Sequence, residues 1–118
     1  MTHRQFVLPG LDELTSYDKL CVTPVDGETG VVAIRAGVES GQKLELVVDS
    51  LGRSVRLVVW DDGVRTLDVY REAATSPGVR ETPDAVVLTV DFDAGELAGA
   101  LEVSIGRHVR VMDVFLFR

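Results

Sequence analysis

From residue 43 onward, apolar side chains recur at every second position. Leu44, Leu46 and Val48 share one parity; Lys43, Glu45 and Val47 share the other. The next segment sets Val55, Leu57 and Val59 against Arg56, Val58 and Trp60. A period of two is the mark of a strand with one buried face. Strand signals of this kind fall at about 19–24, 30–36, 43–49, 54–60, 64–71, 85–92, 102–105 and 109–117, with Gly, Asp, Ser and Pro between them. The pattern predicts an all-β or β-rich α+β domain. About eight antiparallel strands would form a barrel or a sandwich, with one or two short helices. Residues 1–10 read as an N-terminal arm ending at Pro9-Gly10, and 11–118 as a single β domain. The stretch 72–84, with Ser76-Pro77-Gly78 and Thr82-Pro83-Asp84, reads as a surface loop.

Two segments have helical features. In 11–17, Leu11 and Leu14 would face inward from one turn. In 94–101, Asp93 resembles an N-cap, Glu96 follows three residues on, and Leu97 and Leu101 lie four apart. Gly95 and Gly99 each oppose a helix by about 1 kcal/mol. A strand and loop is the alternative there.

Loop lengths set the register. The four-residue loop Ser50-Leu51-Gly52-Arg53 places Val48 opposite Val55, Leu46 opposite Leu57 and Leu44 opposite Val59. For the next hairpin, a two-residue turn at Asp62-Gly63 sets Val58 opposite Leu67, which mixes the faces. A three-residue loop sets Leu57 opposite Leu67, Val55 opposite Val69 and Arg56 opposite Asp68, and keeps one apolar face. The three-residue loop is the expected form. The other face then carries Glu45, Val47, Arg56, Val58, Trp60, Asp68 and Tyr70.

The C-terminal strand is apolar on both faces: Val109, Val111, Phe115 and Phe117 on one, Met112, Val114 and Leu116 on the other. Such a strand is expected to be covered on both sides and to sit at the centre of the core, with 94–101 as one cover. Asp113 falls between Val111 and Phe115. A buried carboxylate must be paired or must change its pKa. It would be an acid/base or ligand anchor in an internal cavity, a structural ion pair with an arginine such as Arg35, or the tip of a bulge that turns outward.

Composition then narrows the function classes. The 118 residues carry a net charge of −7, which argues against nucleic acid as a partner. No apolar run is long enough for a membrane span or a secretory signal. A single cysteine excludes an internal disulfide and fits a cytoplasmic protein, with Cys21 expected as a buried thiol. The 21 valines favour strands. Ten arginines against two lysines fit a GC-rich bacterial genome and carry no functional weight.

No catalytic motif or phosphate loop is present, and no cofactor is expected. Asp91, Asp93 and Glu96 form a weak oxygen-ligand candidate for a metal. The first two share a face about 7 Å apart, and a strand-end turn explains them as well. Asp61-Asp62-Gly63 is explained by its hairpin, and His3 and His108 by loops. Arg56, Trp60, Asp68 and Tyr70 on the outward face are the expected binding surface, because Trp, Tyr and Arg dominate binding hot spots. Asp113 is the interior candidate. The expected function is a small acidic, non-enzymatic interaction module, of the immunity or adaptor type, that docks a protein partner. The alternative is a β-barrel holding a small apolar ligand in an internal cavity. An enzyme using Asp91, Asp93 or Asp113, and a homodimer formed through an exposed edge, complete the possibilities.

Overall fold

The computed structural model describes residues 20–117. The expected arm 1–10, the helical turn 11–17 and His3 therefore lie outside the described residues. Nine strands follow in order: β1 (Cys21–Pro24), β2 (Val31–Gly37), β3 (Gln42–Asp49), β4 (Ser54–Asp61), β5 (Val64–Glu72), β6 (Ala74–Glu81), β7 (Val86–Ala94), β8 (Leu97–Ile105) and β9 (Val109–Phe117). They form two antiparallel meanders, a five-stranded sheet β1-β2-β3-β4-β5 (sheet A) and a four-stranded sheet β6-β7-β8-β9 (sheet B). The two sheets are open and stack as a sandwich. The expected barrel alternative does not hold, because β1, β5, β6 and β9 remain edges.

The core lies where the alternating faces meet. Ile34, Leu44, Leu46, Val48, Val55, Leu57 and Val59 from sheet A pack with Val86, Leu88, Val90, Phe92, Leu101, Val103 and Ile105 from sheet B. Leu57 and Ile105 are fully buried. These side chains form one continuous apolar cluster between the sheets.

The register of β3 and β4 is the expected one: Val48–Val55, Leu46–Leu57 and Leu44–Val59. The β4–β5 hairpin is different. Its turn is the two-residue Asp62-Gly63, with φ of 50° and 81°, as a type I′ turn requires. A bulge between Val59 and Trp60 then restores the faces. Trp60 opposes Arg65 and Val59 opposes Leu67, so Thr66 is the extra residue. Beyond the bulge Leu57 opposes Val69 and Arg56 opposes Tyr70, two residues from the expected pairing but with the same faces. A bulge absorbs one residue and so reconciles the tight turn with the buried pattern.

Three further expectations need correction. The 72–84 loop is mostly β6, an edge strand that accommodates Pro77 because one side needs no N–H. The 94–101 helix is a hairpin instead. Gly95 has φ +75° in the Gly95-Glu96 turn, and Leu97 onward is β8. Gly99 lies opposite Phe115, and a Cβ there would come within 2.7 Å of the ring. Glycine at 99 thus serves strand packing. Finally, β9 is an edge strand among the described residues, and Met112 and Leu116 are 58% and 66% exposed. The core centres on β3, β4, β7 and β8.

Leu57→Ala is expected to cost about 2–5 kcal/mol in urea denaturation. Deleting Thr66 is expected to cost far less, because the ladder then runs unbroken with every face preserved. A deletion as damaging as Leu57→Ala would show that the bulge is assigned to the wrong residue.

Candidate functional site

The outward face of sheet A gathers four of the five expected binding residues. Arg56 and Trp60 come from β4, and Asp68 and Tyr70 from β5. Arg56 clasps Asp68 with two hydrogen bonds: Nε to Oδ1 at 3.0 Å and Nη2 to Oδ2 at 2.7 Å. Arg65 adds a weaker contact to the same carboxylate, Nη1 to Oδ2 at 3.4 Å. The Arg56 hydrogen bond holds the Asp68 carboxyl below its ordinary value of 3.8, against a smaller opposing effect of burial and with help from the Arg56 and Arg65 charges. The same bond raises Arg56. Both side chains are solvated, so the clasp orients the guanidinium more than it stabilises the fold. One strand over, Arg35 Nε donates to Glu45 Oε2 at 2.7 Å.

This face is concave in two places. A hollow of about 470 Å³ is lined by Val47, Val58, Arg56, Trp60, Arg65 and Tyr70, among others. Val58 points outward yet is buried, and so forms a floor. A second hollow of about 610 Å³ is bounded by Cys21, Arg35, Lys43 and Glu45. Trp60 and Glu45 line both and form the ridge between them. Tyr70 is 54% exposed. The arrangement offers an apolar floor, two aromatic walls and fixed charges at the rim.

Asp113 is elsewhere, on β9 of sheet B. It accepts from Arg71 Nη2 across the gap between the sheets, with side chains 20% and 32% exposed. The Arg71 guanidinium also lies over the Phe115 ring, 5.2 Å from its centroid, and Phe115 meets Phe92 at 5.9 Å. The pair is a structural bridge between two edges, not an anchor in a cavity. Its arginine is Arg71, while Arg35 is engaged by Glu45 on the outer face. The signal for Arg71 was its parity with Leu67 and Val69.

The remaining candidates separate. Asp91 and Asp93 lie on one face of β7, and Asp93 Oδ1 accepts from Gly95 N at 3.3 Å in the hairpin that holds Glu96. Among the described residues no cluster of three or more His, Cys, Asp or Glu is placed to hold a metal ion. His108 is exposed in the β8–β9 turn. Cys21 is exposed, contrary to the buried thiol expected, because the short β1 turns it to the outer face opposite Arg35.

Asp113→Ala is expected to destabilise the fold by roughly 1–3 kcal/mol, since Arg71 loses its charged partner. The double variant Arg71→Leu with Asp113→Leu is expected to recover most of that loss in the same denaturation assay. On the outer face, Arg56→Gln is expected to move the Asp68 carboxyl up toward its ordinary value in an NMR titration. Because the folded value is depressed, the Asp68 contribution to stability is present at neutral pH and fades as pH falls below about 4.

No protein-family model and no curated protein matches the sequence. Among solved structures, the fold is similar to a chain of the contact-dependent growth inhibition toxin–immunity protein complex from Klebsiella pneumoniae 342. The TM-score is 0.79 at 14% identity, over 92% of this chain and 95% of that chain. At this identity the likeness establishes a shared sandwich fold over nearly the whole length of both chains.

Proposed function

We propose that this chain is an immunity-type interaction module, a small acidic, non-enzymatic bacterial protein that docks a toxin domain and neutralises it. The observation that carries the reading is the near full-length likeness to a chain of a toxin–immunity protein complex. The outer face of sheet A supports it, since a solid core leaves recognition to the surface. Trp60 and Tyr70 supply aromatic area, and the Arg56–Asp68 clasp supplies a pre-oriented guanidinium whose ordering cost is met before binding. The net charge of −7 speeds encounter with a basic partner and opposes nucleic acid as a ligand. We place its action in the cytoplasm, where the exposed Cys21 stays a free thiol.

The test is co-expression with the product of the gene immediately upstream. That product alone is expected to arrest growth, and this chain to restore it. Absence of arrest, or arrest that this chain does not relieve, contradicts the reading. With the purified pair, Trp60→Ala or Tyr70→Ala is expected to weaken binding by about 30-fold or more, as loss of a hot-spot side chain does. Wild-type affinity in both variants would move the docking face elsewhere.

A further inference from the structure

Among the described residues the sandwich has four edge strands, and three of them are blocked against pairing. β1 is four residues long and ends in Pro24. β5 carries Arg65, Asp68, Arg71 and Glu72. β6 is interrupted by a bulge between Ala74 and Ser76, and Pro77 lacks an N–H. Short edges, charges, proline and bulges are the usual protections of exposed strands. Over its second half β9 has only one of them, the inward-pointing Asp113. It runs nine residues, and Met112, Val114 and Leu116 stand exposed on its outer face. Beside them on β8 lie Ala98 and Ala100, opposite Leu116 and Val114, and Glu102, opposite Met112 and bonded to Arg80. The one acid of β9, Asp113, points the other way and is neutralised by Arg71.

The start of β9 differs in charge from the rest of this acidic chain. Arg107, His108 and Arg110 are exposed around a hollow of about 760 Å³, which a single acid, Asp84, also lines. Neither Arg107 nor Arg110 has an ion-pair partner among the described residues. A strand laid along β9 thus meets an apolar strip at one end and, at the other, two arginines outside any ion pair and outnumbering the nearby Asp84. A second copy of this chain does not fit that requirement. Two-fold antiparallel pairing of β9 with itself matches residues of the same parity, and Arg110 and Asp113 differ by three. Arg110 would face Met112, Val114 or Leu116 of the other copy, never an acid.

We propose that the free edge of β9 accepts an extended strand from a different protein, antiparallel, apolar along Met112–Leu116 and acidic at its C-terminal end beside Arg107 and Arg110. Main-chain hydrogen bonds would supply the attachment, and alternate side chains and the acidic end the specificity. This edge is independent of the sheet A face, and either surface can fail its test alone.

The test titrates the full chain, followed by amide NMR, with a nine-residue peptide of alternating valine and threonine ending in two C-terminal glutamates. A control peptide carries the glutamates at its N-terminal end. Shifts are expected in β9 and the 107–110 turn, with about tenfold weaker binding of the control, equivalent to the loss of a charge match. Met112→Lys with Leu116→Lys, both at solvated positions, is expected to keep the dispersed spectrum and lose the peptide, while Trp60→Ala binds it as the wild type does. No shifts at millimolar peptide, equal affinity for both peptides, shifts confined to sheet A, or a concentration-dependent dimer through β9 would each overturn the proposal.

Discussion

Every second side chain of β2, β3, β4, β7 and β8 enters a single apolar slab, and the rest of the molecule is arranged so that this can happen. Sliding any of these strands by one residue would turn its aliphatic row to water and its charges inward. That penalty far exceeds the preference of any local turn. The β4–β5 hairpin shows the order of forces. Asp62-Gly63 adopts the tight turn its residues favour, and the mismatch is taken up by Thr66 in a bulge, so that Leu67 and Val69 still reach the core. The same slab explains the Arg71–Asp113 bridge. β9 joins sheet A at Gln42, at the start of β3, through the Val109 amide at 2.9 Å. It meets sheet A again at Arg71, near the end of β5. It therefore crosses sheet A on a diagonal, and the ion pair with the Phe115 ring closes the part of the gap where aliphatic side chains run out.

The outer face of sheet A carries an ordered set of charges. On sheet A the acids and bases are largely bonded to each other: Arg35 to Glu45, and Arg56 and Arg65 to Asp68. Such pairs contribute little to stability in water, but they hold charged groups at fixed positions around the Val47 and Val58 floor. A binding face built this way is ordered before its partner arrives.

Much of this was legible in the sequence because alternation reports directly on burial. The β2–β5 meander, the β3–β4 register, and the grouping of Arg56, Trp60, Asp68 and Tyr70 on one outward face all follow from parity. The misreadings share a cause as well. Local signals were given weight where a tertiary constraint decided the outcome. Asp93 and Glu96 imitate a helix start, but Gly95 in the left-handed region makes a hairpin. Ser76-Pro77-Gly78 suggests a loop, yet an edge strand tolerates all three. The two apolar faces of β9 suggested a central strand. In the fold it lies at an edge, and nothing in its own sequence distinguishes the two positions. An arginine partner is one of several readings the sequence allows for Asp113, and choosing Arg71 over Arg35 requires knowing which edges of the two sheets come together.

The claim on which the functional reading depends most is that the outer face of sheet A meets the partner. Hydrogen–deuterium exchange of this chain, free and with the upstream-encoded polypeptide bound, addresses it directly. The account predicts added protection across β4 and β5, from Ser54 to Glu72, with the sheet B amides little changed. Protection confined to sheet B, or none in a complex shown to form, would contradict it.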